Sequence, residues 1–340
     1  MTSAPASKPP ASSLRTADPG PQAPAQSGTA RPLLLHVGYH KTATTWLQNI
    51  VFTPEHGFCQ VMDHDAIFDH VIAPHGLAFD PAPARALIAE GAAGAAPGAA
   101  VDVVSLEALS GLPYTGGRES DDYARRLAAI TADRGAPVTV LMTIREQTAI
   151  LSSVYMQYLY RAGTESPRRF FDEDTQRGFF RFSAENFCYH RLVGLYQALF
   201  GPENVLVLPQ ELIAADQAAA VRLMAEVAGN APLLEAGWAA RTERGKSYPQ
   251  YAVPLLRRAN YFRREALNPS PMIDLGRLGQ WGYRGTGWLA RRAPLPKSLT
   301  GSKPVTEYIR ERFDGRFAES NRALAAQLHH KVALPGYQGL

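Results

Sequence analysis

Leu33-Leu34-Leu35-His36-Val37-Gly38-Tyr39-His40-Lys41-Thr42-Ala43-Thr44-Thr45-Trp46-Leu47 is the stretch that decides the fold. An apolar run of five ends at a glycine, which is how a buried parallel strand reads. A short turn follows, and Thr44 to Phe52 then reads as a helix. The first amides of a helix have no partner in a preceding turn and point outward. Together with the helix dipole they form an anion site. The hydroxyls of Thr44 and Thr45 add donors, and Lys41 adds a positive charge at the mouth. The segment is therefore a phosphate cradle on physical grounds. It is not the nucleoside triphosphate loop G-x-x-x-x-G-K-[ST], in which the lysine immediately precedes the Ser/Thr. Here Lys41 follows Gly38 by only three positions, and a shorter loop suits a shorter phosphate chain.

The same alternation continues outward from this unit. Strands are expected at Phe58–Met62, Val101–Leu106, Thr139–Ile144 and Val205–Leu208. Helices are expected at Pro81–Glu90, Asp121–Asp133, Gln147–Arg161, Ala184–Phe200 and Asp216–Val227. Ala92–Ala100 reads as a loop. The fold class is α/β: a parallel sheet with helices on both faces. After Gly229 the strand signals stop. Tyr248–Arg264 reads as a helix, Asn268–Lys303 as irregular, and Val305–Leu328 as a helix broken near Gly315. Residues 1–31, rich in Ala, Pro, Ser and Gln without an apolar core, read as a disordered tail rather than a secretory signal. Residues 32–340 read as one domain, with an α/β core over 32–229 and a mainly helical, basic part over 230–340. In 340 residues, 46% hydrophobic, no run is long and apolar enough to span a bilayer. A cytoplasmic location is the expectation.

A second feature lies about a hundred residues on. The strand Thr139–Ile144 ends in Arg145, at the edge where open α/β sheets bind ligands. Ser153 follows eight residues later, about two helical turns into the next element. A guanidinium and a hydroxyl converging there hold a second phosphate.

These two motifs resemble those of sulfotransferases that use 3'-phosphoadenosine 5'-phosphosulfate (PAPS). Their 5'-phosphosulfate loop runs roughly K-[ST]-G-T-[TS]-x-[LI], and Lys41, Thr42, Thr44, Thr45 and Leu47 match it. Ala43 stands where that family usually has glycine. Their 3'-phosphate motif is an Arg at a strand end with a Ser eight residues later, as in Arg145 and Ser153. Phe317–Leu324 and Leu334–Tyr337 are similar to the closing helix and tail of bacterial members. The resemblance implies a P-loop-type sulfotransferase fold, PAPS as donor and adenosine 3',5'-bisphosphate as product. It implies donor contacts from Lys41 through Trp46, from Arg145 and Ser153, and from a basic, Gly-containing loop for which Arg244 and Lys246 are the candidates.

Sulfuryl transfer is akin to phosphoryl transfer, with in-line attack and a loose transition state. A cation is needed where the leaving phosphate gathers charge, and Lys41 is placed for it. A base must take the acceptor's proton. Glu107, after the strand Val101–Leu106, is the favoured candidate, with His64 and His40 behind it. No metal is expected, since Asp63-His64-Asp65, Asp69-His70 and His75 show no specific ligand spacing. Cys59 and Cys188 read as reduced thiols.

Net charge is +4, unevenly distributed. Between Arg241 and Lys303 thirteen Lys/Arg face three acids, a net +10 that leaves −6 on the rest. Such a field favours an anionic ligand or surface. The acceptor class is left open between a glycan, a glycolipid or lipid-linked saccharide, and a small metabolite. Peripheral membrane contact through 257–303 is a further expectation. A small-molecule kinase, which would need Mg²⁺ and a triphosphate-length loop, and a non-catalytic nucleotide-binding protein are the alternatives.

Overall fold

The computed structural model describes residues 30–173, 181–236, 238, 248–292, 294, 296 and 301–340. Five strands form one sheet: β1 (Leu33–His36), β2 (Phe58–Gln60), β3 (Val101–Ser105), β4 (Val138–Ile144) and β5 (Val205–Pro209). Their order is β2-β3-β1-β4-β5, and every pairing is parallel. Leu35 lies opposite Val104 on one side and Val140 on the other. β1 is therefore central, and the loop after it opens at the switch between the two halves of the sheet, where ligands of such sheets bind.

Both faces of the sheet are covered, as the continuous apolar strands require. Leu33 and Leu35 point into a core with Val104, Met142 and Val207, closed by helices Ala82–Ala93, Ser120–Thr131, Gln147–Tyr160 and Tyr189–Phe200. Leu34 points the other way, among Val103, Leu141 and Leu206. That face is closed by Trp46, Leu47 and the helix Gln217–Ala228. The period-two alternation of a strand divides the two cores.

The one acid within the strands, Asp102 of β3, is wholly buried. Arg31 holds its Oδ1 at 2.8 Å (Nε) and 2.7 Å (Nη2), and Arg134 pairs with its Oδ2. Arg31, assigned to the tail from the sequence, is thus part of the folded domain; a buried carboxylate is tolerable only when paired in this way.

Several elements differ from expectation. The helix after β1 is α-helical only over Thr44–Trp46 and continues as a π turn over Leu47–Val51. The expected loop 92–100 starts later, because the preceding helix runs to Ala93. Tyr248–Arg264 is shorter than expected, a 3₁₀ turn at Gln250–Ala252 and a helix at Val253–Asn260. The largest correction is in 268–303, expected to be irregular: Arg277–Arg292 is a sixteen-residue helix. Glycine lowers intrinsic helix propensity, but here it serves packing. Gly279, Tyr283, Gly287 and Ala290 form the buried stripe. A Cβ at Gly279 would overlap the Phe262 carbonyl, and one at Gly287 would overlap the Tyr248 ring. No strand follows β5 among the described residues.

The C-terminal helices Pro304–Arg312 and Ala318–Gln327 are separated at Gly315, whose φ of 66° requires the break. The second of them is locked to the core by a buried amide pair. Gln147 Nε2 donates to Asn321 Oδ1 at 2.7 Å, and Asn321 Nδ2 returns a bond to Gln147 Oε1 at 3.3 Å.

Candidate active site

The loop after β1 is built on a buried polar relay that begins in the strand itself. Thr42 lies fully buried, and its hydroxyl donates to the Tyr39 carbonyl at 2.5 Å. With that proton committed, Thr143 of β4 must donate to Thr42 across their 2.6 Å contact. His36 Nε2 then donates to Thr143 Oγ1 at 3.3 Å, and Nδ1 accepts from Ser105 at 2.7 Å. Gln48 Nε2 completes the series, donating to Ser105 Oγ at 3.1 Å. The order of donors assigns His36 the neutral Nε2–H tautomer. Burial pushes its pKa down to about 3, consistent with that neutral form. Four elements are tied to the loop by these bonds.

The loop also needs unusual backbone. Lys41 and Ala43 both take left-handed conformations, with φ of 69° and 68°. Such conformations cost an L-residue roughly 1–2 kcal/mol. The alanine that departs from the family pattern thus occupies a backbone state suited to glycine. Ala43→Gly is expected to stabilise the protein by about 0.5–1 kcal/mol, after allowance for the freer unfolded chain. A lower urea midpoint in that variant would show that the conformation carries no strain.

A cleft of about 760 Å³ opens over the carboxyl ends of the strands. Lys41, Ala43, Thr44, Thr45 and Trp46 line one side of it. Thr42 does not, because it is fully buried with its hydroxyl committed to the relay. No side chain caps the start of the Thr44 helix, so its leading amides are left to the cleft. Trp46 is nearly buried, with its ring edge-on to Trp238 at 5.6 Å.

Arg145, one residue past β4, also lines the cleft. Its Nη1 donates to Ser153 Oγ at 3.0 Å, so the eight-residue spacing closes as a direct contact. The same nitrogen lies 3.5 Å from the Lys41 carbonyl, which sets the two motifs side by side. Tyr189 donates to the Arg145 carbonyl at 2.6 Å, and the Glu146 carboxylate caps the following helix through Thr148 and Ala149.

Glu107 begins a 3₁₀ turn just past β3 and reaches the same cleft, together with His40. Burial lowers the His40 pKa; Glu107 opposes that shift, and Lys41 and Arg161 add to it. Lys41 is exposed at the cleft, but partial desolvation by the cleft walls lowers its pKa, with Arg145 adding to the shift and Glu107 opposing it. His40, Lys41 and Glu107 are therefore one electrostatic group. His64 is exposed beyond β2, away from the cleft lining. Arg244 and Lys246 lie outside the described residues.

The far wall was missed in the sequence. Gln157, Gln210, Ile213, Ala214 and Gln217 line it, from the Gln147 helix and the segment after β5. His40 Nε2, Gln157 Oε1 and Gln210 Oε1 are buried and have no hydrogen-bond partner among the described residues. Buried polar atoms are normally satisfied, and three of them on one cleft mark where a polar ligand would bind. The only advance signal was that residues just past a strand, such as Gln210, sit at the carboxyl edge.

Among the described residues no three His, Cys, Asp or Glu side chains gather as a metal site. Asp63 instead caps the short helix after β2. Cys59 and Cys188 are free thiols. No helix among the described residues is long and apolar enough to cross a membrane.

Fold and site together define an open parallel α/β protein with a lysine-bearing loop after the central strand and an adjoining arginine at the sheet's carboxyl edge. No family model matches the chain, and no curated protein does. Among solved structures, it is similar to a sulfotransferase from Alicyclobacillus acidocaldarius at 19% identity and a TM-score of 0.46, over 74% of this chain and 99% of that one.

Proposed function

We propose that the protein is a sulfotransferase that moves a sulfuryl group from PAPS to a hydroxyl or amine. The observation that carries this reading is the position of Arg145, bonded to Ser153 and set against the Lys41 carbonyl. It supports a reading in which one cleft carries two anion-binding centres, as a donor with separate 5' and 3' phosphate groups requires. The residues fit such a donor. The cleft is within the usual range for a nucleotide-sized ligand, roughly 300–1,000 Å³, and unpaired polar atoms face it.

In this reading Thr44, Thr45 and the leading helix amides hold the 5'-phosphate oxygens, and Arg145 with Ser153 holds the 3'-phosphate. Arg244 and Lys246 remain proposed as further contacts to it. Lys41 stands at the bridging oxygen, where its ammonium stabilises the charge that develops as the P–O–S bond breaks. Glu107 takes the proton from the acceptor as its oxygen or nitrogen bonds to sulfur. Adenosine 3',5'-bisphosphate leaves. The acceptor class we favour is a saccharide, free or lipid-linked, or a small metabolite.

Two measurements test this. Labelled PAPS should be bound and its sulfuryl group transferred, while ATP should support no phosphorylation; ATP-dependent transfer without any response to PAPS would sink the proposal. The protein should also bind adenosine 3',5'-bisphosphate more tightly than adenosine 5'-phosphate. Arg145→Ala should erase most of that preference, a loss of about 10–100-fold for a charge-assisted pair. Glu107→Gln should slow transfer by about 10²–10⁴ with donor affinity kept; an unchanged rate would pass the base to His40.

A further inference from the structure

The helix Arg277–Arg292 has two faces. Its buried stripe packs on Phe262 and Tyr248. Opposite it, Leu278, Trp281, Gly285, Trp288 and Arg292 fall at spacings of three and four and so share one side. Trp281 is 66% exposed, Trp288 53%, Leu278 65% and Leu289 61%. The segment leading into the helix adds Met272, Ile273 and Leu275, all exposed. Scattered apolar residues are ordinary on a surface, but a row of this kind on one element marks an interaction site.

The charge on this element identifies the partner. The helix carries four arginines and no acid. Over 248–292 eight arginines face only Glu265 and Asp274. Those two acids are taken up by other arginines: Asp274 by Arg264 at 2.9 Å, Glu265 by Arg263 at 3.4 Å and Arg161 at 3.8 Å. Arg277 and Arg284 flank the Trp/Leu row on one side, Arg291 beyond them stacks over the Tyr248 ring at 4.6 Å, and the Arg292 guanidinium lies over the Trp288 ring at 4.2 Å. A second copy of the chain fits poorly, because a two-fold contact would set four arginines against four.

We propose that this face is a membrane-contact surface that lies flat on anionic lipid, with Trp281, Trp288, Leu278 and Leu289 in the headgroup–acyl boundary and Arg277 and Arg284 on the phosphates. Aromatic and basic side chains divide the work of interfacial helices in this way. The surface also connects to the cleft. Arg263 donates to the Tyr160 carbonyl at 2.7 Å and Leu267 N–H to the Arg161 carbonyl at 3.3 Å, at the end of the helix whose Gln157 lines the pocket. A lipid-borne acceptor is the class such a surface would present, a clause that rests on the transfer reading; the surface itself does not.

Co-sedimentation of the full chain with vesicles tests the proposal without donor or acceptor, so its outcome is separate from that of the transfer assay. Binding is expected to phosphatidylcholine vesicles containing phosphatidylglycerol, to weaken with salt, and to be absent with phosphatidylcholine alone. Arg277→Gln with Arg284→Gln should weaken it about 25-fold, at roughly fivefold per basic residue. Trp281→Ser with Trp288→Ser should remove it while leaving affinity for adenosine 3',5'-bisphosphate unchanged. No sedimentation with either vesicle, or binding that neither double variant alters, overturns the proposal. So does self-association that the tryptophan variant abolishes, which would give the face to a second copy, or retention by an RNA homopolymer instead of vesicles.

Discussion

Lys41→Ala is expected to reduce sulfuryl transfer by about a thousandfold while the protein stays folded. The magnitude is that of removing one preorganised donor to a developing negative charge, about 10²–10³ in rate, at the upper end because the donor here is a full charge. Nothing structural should fail with it. The side chain lies exposed at the cleft, and the loop is held by Thr42 and Thr143 beneath it rather than by the lysine. Alanine at a φ of 69° is no worse placed than lysine. Single-turnover transfer separates this loss from binding, because the affinity for the bisphosphate product should change far less than the rate. A variant that transfers at the normal rate would take Lys41 out of the chemistry.

Gly38→Ala should damage the site from below. Gly38 does not need an unusual φ; it needs the absence of a side chain. An added Cβ would overlap Thr143 Oγ1 and lie 2.6 Å from His36 Nε2. Both atoms belong to the relay that ties the loop to β3 and β4, and neither can move without stranding a buried polar group. Overpacking costs about 1–3 kcal/mol, and an unsatisfied buried donor or acceptor costs about 1–3 kcal/mol more. The variant should lose roughly 3 kcal/mol or more in urea unfolding and bind the bisphosphate poorly even where it remains folded. Normal stability would show that the loop has slack beneath it that the packing does not suggest.

The sequence was informative where one residue type had one physical use. Apolar runs, ended by Gly38 after β1, by Glu107 after β3 and by Arg145 after β4, became those strands almost to the residue. Arg145 and Ser153 were legible as a pair because a helix of known rise puts an i+8 serine two turns from a strand-end arginine. His36 was not legible as a structural centre. Within Leu33–Val37 it reads as one more strand residue, and its worth depends on Ser105 and Thr143 from two other strands. The glutamines of the far wall were hidden for a similar reason, since glutamine on a helix ordinarily faces water. The helix Arg277–Arg292 was lost because glycine is read as a helix breaker until its packing partners, Phe262 and Tyr248, are known. Ala43 read only as a departure from a pattern until its backbone angles showed which conformation the position demands.

The amide pair between Gln147 and Asn321 has a consequence for how the molecule comes into being. Gln147 opens the helix that carries Ser153 and Gln157, yet its partner is 174 residues further along. At ribosomal speeds of about 5–20 residues per second, roughly 10–35 s pass between the two. Until then the Gln147 amide has the Phe187 carbonyl, at 3.4 Å, but lacks the closer partner it has in the finished protein. The tail adds a second dependence: Tyr337 reaches Glu211 at 3.4 Å, and Glu211 in turn accepts from the Glu146 amide at 3.0 Å. The supports behind the cleft are thus completed late in translation, when the chain returns to brace what its first half laid down.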